Sequence, residues 1–169
     1  MKKDQNPLKT STYGTGELIR HAAEAGATTI VLTIGGSATN DAGIGMAAAL
    51  GYTFLDHNSA ELQPTGENLI HVAEIKGSNP YPSIQFIVLS DVTNPLHGPQ
   101  GAAQVYAKQK GANVTSIKQL DKGLINMAKW LSADTPGAGA AAGRIWLGAG
   151  VPILSGRGAH RGDRRRRRR

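Results

Sequence analysis

Two short apolar runs carry the frame of this chain. Residues 28–34 (Thr-Thr-Ile-Val-Leu-Thr-Ile) and 84–90 (Ile-Gln-Phe-Ile-Val-Leu-Ser) are rich in β-branched positions and do not alternate with polar ones. That is the pattern of strands in a parallel or fully covered sheet, and both runs are far too short to span a bilayer. Around them apolar positions recur at helical spacing. Residues 17–25 place Leu18, Ile19, Ala22 and Ala23 on one stripe, with Glu17 in the expected first turn and Gly26 as a stop. Residues 42–50 and 102–107 read as shorter helices. Residues 114–131 make the longest one, with Ile117, Leu120, Leu124, Met127 or Ala128, and Leu131 in phase and Asn113 placed to cap it. Residues 52–55 suggest a short strand, 56–59 a turn and 67–72 a short helix. Strands alternating with helices predict an α/β fold, a layered mixed or mainly parallel sheet flanked by helices.

Composition changes little in that picture. The 169 residues suffice for one domain with a real core, and 40% hydrophobic content with 22 glycines suits close-packed layers. Without cysteine, disulfides and thiolate zinc sites are excluded. The first residues (Met-Lys-Lys-Asp-Gln-Asn-Pro) form no apolar leader, so the expectation is a cytoplasmic protein with no membrane partner. Charge is more informative, because the formal +7 is uneven. Residues 1–143 hold ten Lys and Arg against eleven Asp and Glu, whereas residues 144–169 hold nine Arg against one Asp and end in six arginines. A basic nucleic-acid-binding face is therefore not expected. The Arg-rich end reads as low-complexity, disordered sequence that binds polyanions without specificity.

The chemistry concentrates where the first strand ends. Gly35, Gly36, Ser37, Ala38, Thr39, Asn40 and Asp41 form a small-residue turn before a helix. Gly35 and Gly36 let a ligand approach the main chain, Ser37, Thr39 and Asn40 offer donors, and free amides of the next helix would favour an anion. A carboxylate such as Asp41 beside them could take a hydroxyl proton or hold Mg²⁺. The alternative is that Ser37, Thr39 and Asn40 only cap the helix. The second strand delivers Asp91 into a similar loop with Asn94, read either as a functional loop or as an Asx-turn. Lys110, before Gly111, either reaches a phosphate or ends a helix in solvent. The closely spaced Gly43 and Gly45 suggest tight packing or a ligand at the backbone. The phosphate-binding pattern G-x-x-x-x-G-K-[ST] is absent from the chain.

Five blocks in order give these residues a family resemblance. Residues 6–19 (NPLKTSTYGTGELI) resemble the "NPL-T-T-YGTGELI" block of bacterial type I glycerate kinases, and residues 35–43 (GGSATNDAG) resemble "GGSATNDGG", with Ala42 replacing a usual glycine. Residues 91–102 are similar to "DV-NPL-G--GA", 106–112 (YAKQKGA) to "FGPQKGA" and 136–143 (PGAGAAAG) to "PGAGAAGG". The resemblance implies ATP-dependent phosphorylation of D-glycerate to a phosphoglycerate, usually 2-phosphoglycerate, with Mg²⁺. It implies substrate or nucleotide contacts from the 35–41 turn and from 91–94, with Asp41 and Asp91 in base or magnesium-linked roles. It also implies two α/β domains around a cleft. The family's "DSFK", "DGGEG" and "ITGEG" blocks do not occur here. The expectation is thus a central portion, residues 1–143, carrying one wall of the cleft with weak or no turnover alone, followed by a non-homologous tail, 144–169.

Overall fold

The computed structural model describes residues 5–90, 94–130 and 153–155. Its elements are helix α1 (Tyr13–Glu24), strand β1 (Thr29–Ile34), helix α2 (Ile44–Ala49), strands β2 (Thr53–Leu55), β3 (Glu74–Lys76) and β4 (Gln85–Ser90), helices α3 (Ala102–Tyr106) and α4 (Val114–Ala128), and strand β5 (Ile153–Ser155). The fold is α/β, as the alternation predicts. β1, β4 and β5 form one parallel sheet in that order, and β2 and β3 form a separate antiparallel ribbon. In the first sheet Ile30 pairs with Phe86, Leu32 with Val88, and Ile34 with Ser90. Ile34 and Ser90 therefore end their strands side by side, at the carboxyl edge where open α/β sheets place their ligands.

One expectation about this sheet is corrected. The unbroken apolar run of β1 predicts cover on both faces, yet its burial alternates and Val31 is 53% exposed. Phe86 and Val88 are buried, and Ile30 and Leu32 pack against the core from the same face. The opposite face, with Val31 and Leu89, lies open.

The core lies between the helices. Leu120, Leu124 and Met127 of α4 are fully buried with Leu69, which sits in a 3₁₀ turn at Gly66–His71. Gly123 permits this packing, because a Cβ there would stand 2.6 Å from the Leu69 Cβ. Asn126 Nδ2 donates to the carbonyls of Leu69 and Val72 at 3.0 and 2.8 Å, tying off the end of that turn. Asn113 caps α4 as expected, its Oδ1 accepting from Ser116 N at 2.9 Å.

Helices α1 and α2 approach through glycines. A Cβ on Gly16 would lie 2.4 Å from the Met46 carbonyl oxygen, and one on Gly45 would lie 2.7 Å from the amides of Thr12 and Tyr13. Gly45 is thus a packing glycine, one of the two readings its position allowed. α1 begins at Tyr13, a turn earlier than its apolar stripe suggests, which removes Glu17 from the first turn. α2 begins later than expected, at Ile44, because Ala42 and Gly43 both hold positive φ, 52° and 74°.

Candidate functional site

The turn after β1 divides into two parts. Gly35, Gly36, Ser37 and Ala38 are exposed, and a Cβ added at Gly35 or Gly36 would meet nothing within 4 Å. Asn40 and Asp41 are buried, at 8% and 2% exposure.

Asp41 is the brace of the region. Its Oδ2 accepts from Thr12 N and Thr12 Oγ1, both at 2.7 Å, and from Gly45 N at 3.3 Å, while Oδ1 accepts from Gly43 N at 3.2 Å. One carboxylate thereby fixes the start of α1 to the start of α2. Burial pushes its pKa above the usual carboxylate value, against the pull of the donors from Thr12, Gly43 and Gly45.

These bonds correct the expected anion site. The first amides of α2 are all used internally: Ile44 N donates to Asp41 O, Gly45 N to Asp41 Oδ2, and Met46 N to Thr12 Oγ1. A helix start with its amides spent offers no cradle for an ion. Nor do Ser37, Thr39 and Asn40 cap α2; Asp41 and Thr12 do so from upstream and from across the fold.

The positive charge comes instead from Lys110, at the end of a short 3₁₀ turn, Lys108–Lys110, that follows α3. Its Nζ donates to Ser37 Oγ at 3.0 Å and to Thr39 O at 2.6 Å. Gly111, at φ 98°, ends the turn and lets Gln5 approach, since a Cβ there would lie 2.2 Å from Gln5 O. Desolvation holds the Lys110 pKa below its ordinary 10.5, an effect partly offset by the Asp41 charge.

Ser37, Thr39, Asn40, Asp41 and Lys110 line one cavity of about 100 Å³, closed by Tyr106, Leu96, Ala102 and Leu124. Asn40, on its wall, has a buried Nδ2 with no hydrogen-bond partner among the described residues. An orphaned amide of this kind costs about 1–3 kcal/mol unless a ligand or water satisfies it. Gly36, Ser37 and Lys110 also line a second depression of about 310 Å³, together with Gln5, Ala38 and Gln109.

The other expected residues fall elsewhere. Gly35 is exposed on the turn and lines neither space. Asn94 stands behind the pocket wall: Tyr106 Oη donates to its Oδ1 at 2.5 Å, and its Nδ2 donates to Gln100 O at 2.9 Å. Asp91 lies outside the described residues, as does most of the Arg-rich end. Sequence reasoning missed Thr12 and Tyr106 as site-building residues. Both lie inside blocks of the resemblance, which was the available signal.

The residues described do not compose a magnesium site. Asp41 is held by four internal donors, and no group of three or more His, Asp or Glu side chains stands together among the described residues. No described helix is long and apolar enough to cross a membrane.

The family model described as "Glycerate kinase family" matches residues 1–162, past residue 143, where the motif blocks end, and through β5. A glycerate kinase from Halalkalibacterium halodurans is 46% identical over 160 residues, covering 89% of this chain and 41% of that protein. A glycerate 2-kinase from Escherichia coli K12 is 43% identical over 162 residues, covering 90% and 42%. A solved structure from Salmonella typhimurium LT2, of a protein provisionally named glycerate kinase 2, superposes with a TM-score of 0.84 at 37% identity, covering 91% of this chain and 45% of that one. The chain thus spans less than half the length of these relatives. With five motif blocks in order, the same α/β core and a family match over nearly its whole length, the chain belongs to the glycerate kinase family.

Proposed function

We propose that this chain supplies the acid-binding wall of a site for ATP-dependent phosphorylation of D-glycerate to a phosphoglycerate, a reaction of the cytoplasm. The observation that carries the reading is the cavity of about 100 Å³ lined by Lys110 and by Asn40, whose buried Nδ2 has no hydrogen-bond partner among the described residues. A volume of that order suits a small ligand such as a three-carbon hydroxy acid. It is too small for a nucleotide, since pockets for larger ligands run roughly 300–1,000 Å³.

The chemistry follows from the donors. A glycerate carboxylate would accept from Lys110 Nζ and Asn40 Nδ2, satisfying the orphaned amide. Asp41 Oδ2 already takes three bonds, but Oδ1 takes one, at 3.2 Å, and has acceptor capacity left for a substrate hydroxyl. Phosphoryl transfer depends mainly on positioning and charge stabilisation, with little covalent work left to the protein. Asp41 serves first as a positioning residue under this reading. Asp91 follows Ser90, the partner of Ile34, and is proposed as the second carboxylate, the one that receives the hydroxyl proton.

Titration calorimetry of this chain with D-glycerate tests the reading. Lys110→Met should weaken binding by about tenfold or more, the worth of a charge-assisted hydrogen bond. Equal binding by parent and variant would overturn it.

A further inference from the structure

We infer that the nucleotide lies along a trough running away from the acid pocket, with its base against Val105 and Ala112. The inference deepens the proposed function and rests on it. Three depressions adjoin one another. The acid pocket shares Ser37 and Lys110 with the second space of about 310 Å³. That space shares Gln5 and Gln109 with a third, of about 670 Å³, walled by Val105, Lys108, Gly111 and Ala112. The two outer spaces fall in the range of roughly 300–1,000 Å³ that holds larger ligands.

The chemistry along the trough changes in the order of a nucleotide's own parts. The middle space holds the Lys110 ammonium, the Ser37 hydroxyl and the open main chain of Gly36, where φ is 62° and a Cβ would meet nothing within 4 Å. That suits a di- or triphosphate next to the acid to be phosphorylated. The third space is more apolar: Val105 is 45% exposed on its wall, beside the buried Ala112. Gln5 and Gln109 line it too, and a glutamine amide can donate to and accept from a purine rim. Lys108 adds a second positive charge on the same side. An apolar wall with a few polar groups, joined to a cationic passage, fits a purine nucleotide.

Three ligands separate the parts: ADP, pyrophosphate and D-glycerate, each titrated into the chain. ADP should bind about tenfold tighter than pyrophosphate, and Val105→Asn should remove that advantage while leaving pyrophosphate and D-glycerate unchanged. Val105 is half in solvent, so the substitution does not open the core; if that variant lost all three ligands together, the milder Val105→Thr would decide by the same comparison. Equal affinity for ADP and pyrophosphate, no binding of ADP, or an ADP affinity indifferent to both substitutions would each overturn the inference. D-glycerate binding that survives those outcomes leaves the acid pocket standing. Its loss beside an intact ADP preference would overturn the acid pocket instead.

Discussion

The two halves of the turn after β1 sit in one sequence block and do opposite work. Residues 35–38 are exposed, with Ser37 Oγ accepting from Lys110 and Ala38 O from Thr10, while Asn40 and Asp41 are buried, Asp41 in bonds that hold α1 to α2. A run of small and polar residues thus joins an open ligand-facing edge to a structural clamp. What separates them is the partner 29 residues upstream, Thr12, which takes Asp41 out of solvent and uses up the anion-binding capacity of α2.

The sharpest break is Asp41→Asn. It turns an acceptor-only group, facing donors alone, into one that must present an N–H to some of them, at a cost of about 4 kcal/mol in folding free energy. Ser37→Ala in the exposed half should stay within about 0.5 kcal/mol. Urea unfolding of the two variants measures the contrast, and equal losses would erase it. Next in size is Gly45→Ala, at about 3 kcal/mol by the same measurement, because its Cβ would meet backbone at 2.7 Å and Ser11 Oγ at 2.2 Å.

A smaller effect runs the other way. Ala42 holds φ 52°, where the resembling block carries glycine, and an L side chain there costs roughly 1 kcal/mol. Ala42→Gly should raise the unfolding midpoint by a part of that, since glycine also gains freedom in the unfolded chain. The smallest effect is a pH dependence. Lys110 has a folded pKa below 10.5, so between those values the unfolded chain binds the extra proton and stability rises with pH. Denaturation midpoints from neutral pH to pH 10.5 should climb in the parent relative to Lys110→Met. A bound anion should cancel the climb by restoring the Lys110 charge.

How much of this was legible in the sequence depended on how far each feature's cause lay along the chain. β1, β4 and α4 follow from local periodicity, and their bounds come close to expectation. β3 escaped because three residues alternating charge with one isoleucine (Glu74, Ile75, Lys76) make a strand only once β2 pairs with them. α1 starts early because Gly14 and Gly16 read as loop residues until α2 packs against Gly16. The site shows the same limit. Its residue types were readable at 35–41 and at Lys110. The role of Asp41 was not, since Thr12 fixes it. Nor was the lack of a partner for Asn40 Nδ2 among the described residues, which only packing creates. Asn94 looked like a ligand contact, yet Tyr106, twelve residues on, ties it into the wall.

Lys110 reaches Ser37 and Thr39 across 73 and 71 residues of chain. Loops of that length close late and at an entropic cost that local contacts do not meet, so the acid pocket exists only in molecules that have completed the long-range part of their folding. Any ligand of that pocket is therefore a ligand of the whole fold. At one hundred times its dissociation constant it would add about 2.7 kcal/mol to the stability of every segment that unfolds with the pocket. A melting curve of this chain becomes, by that linkage, a binding assay.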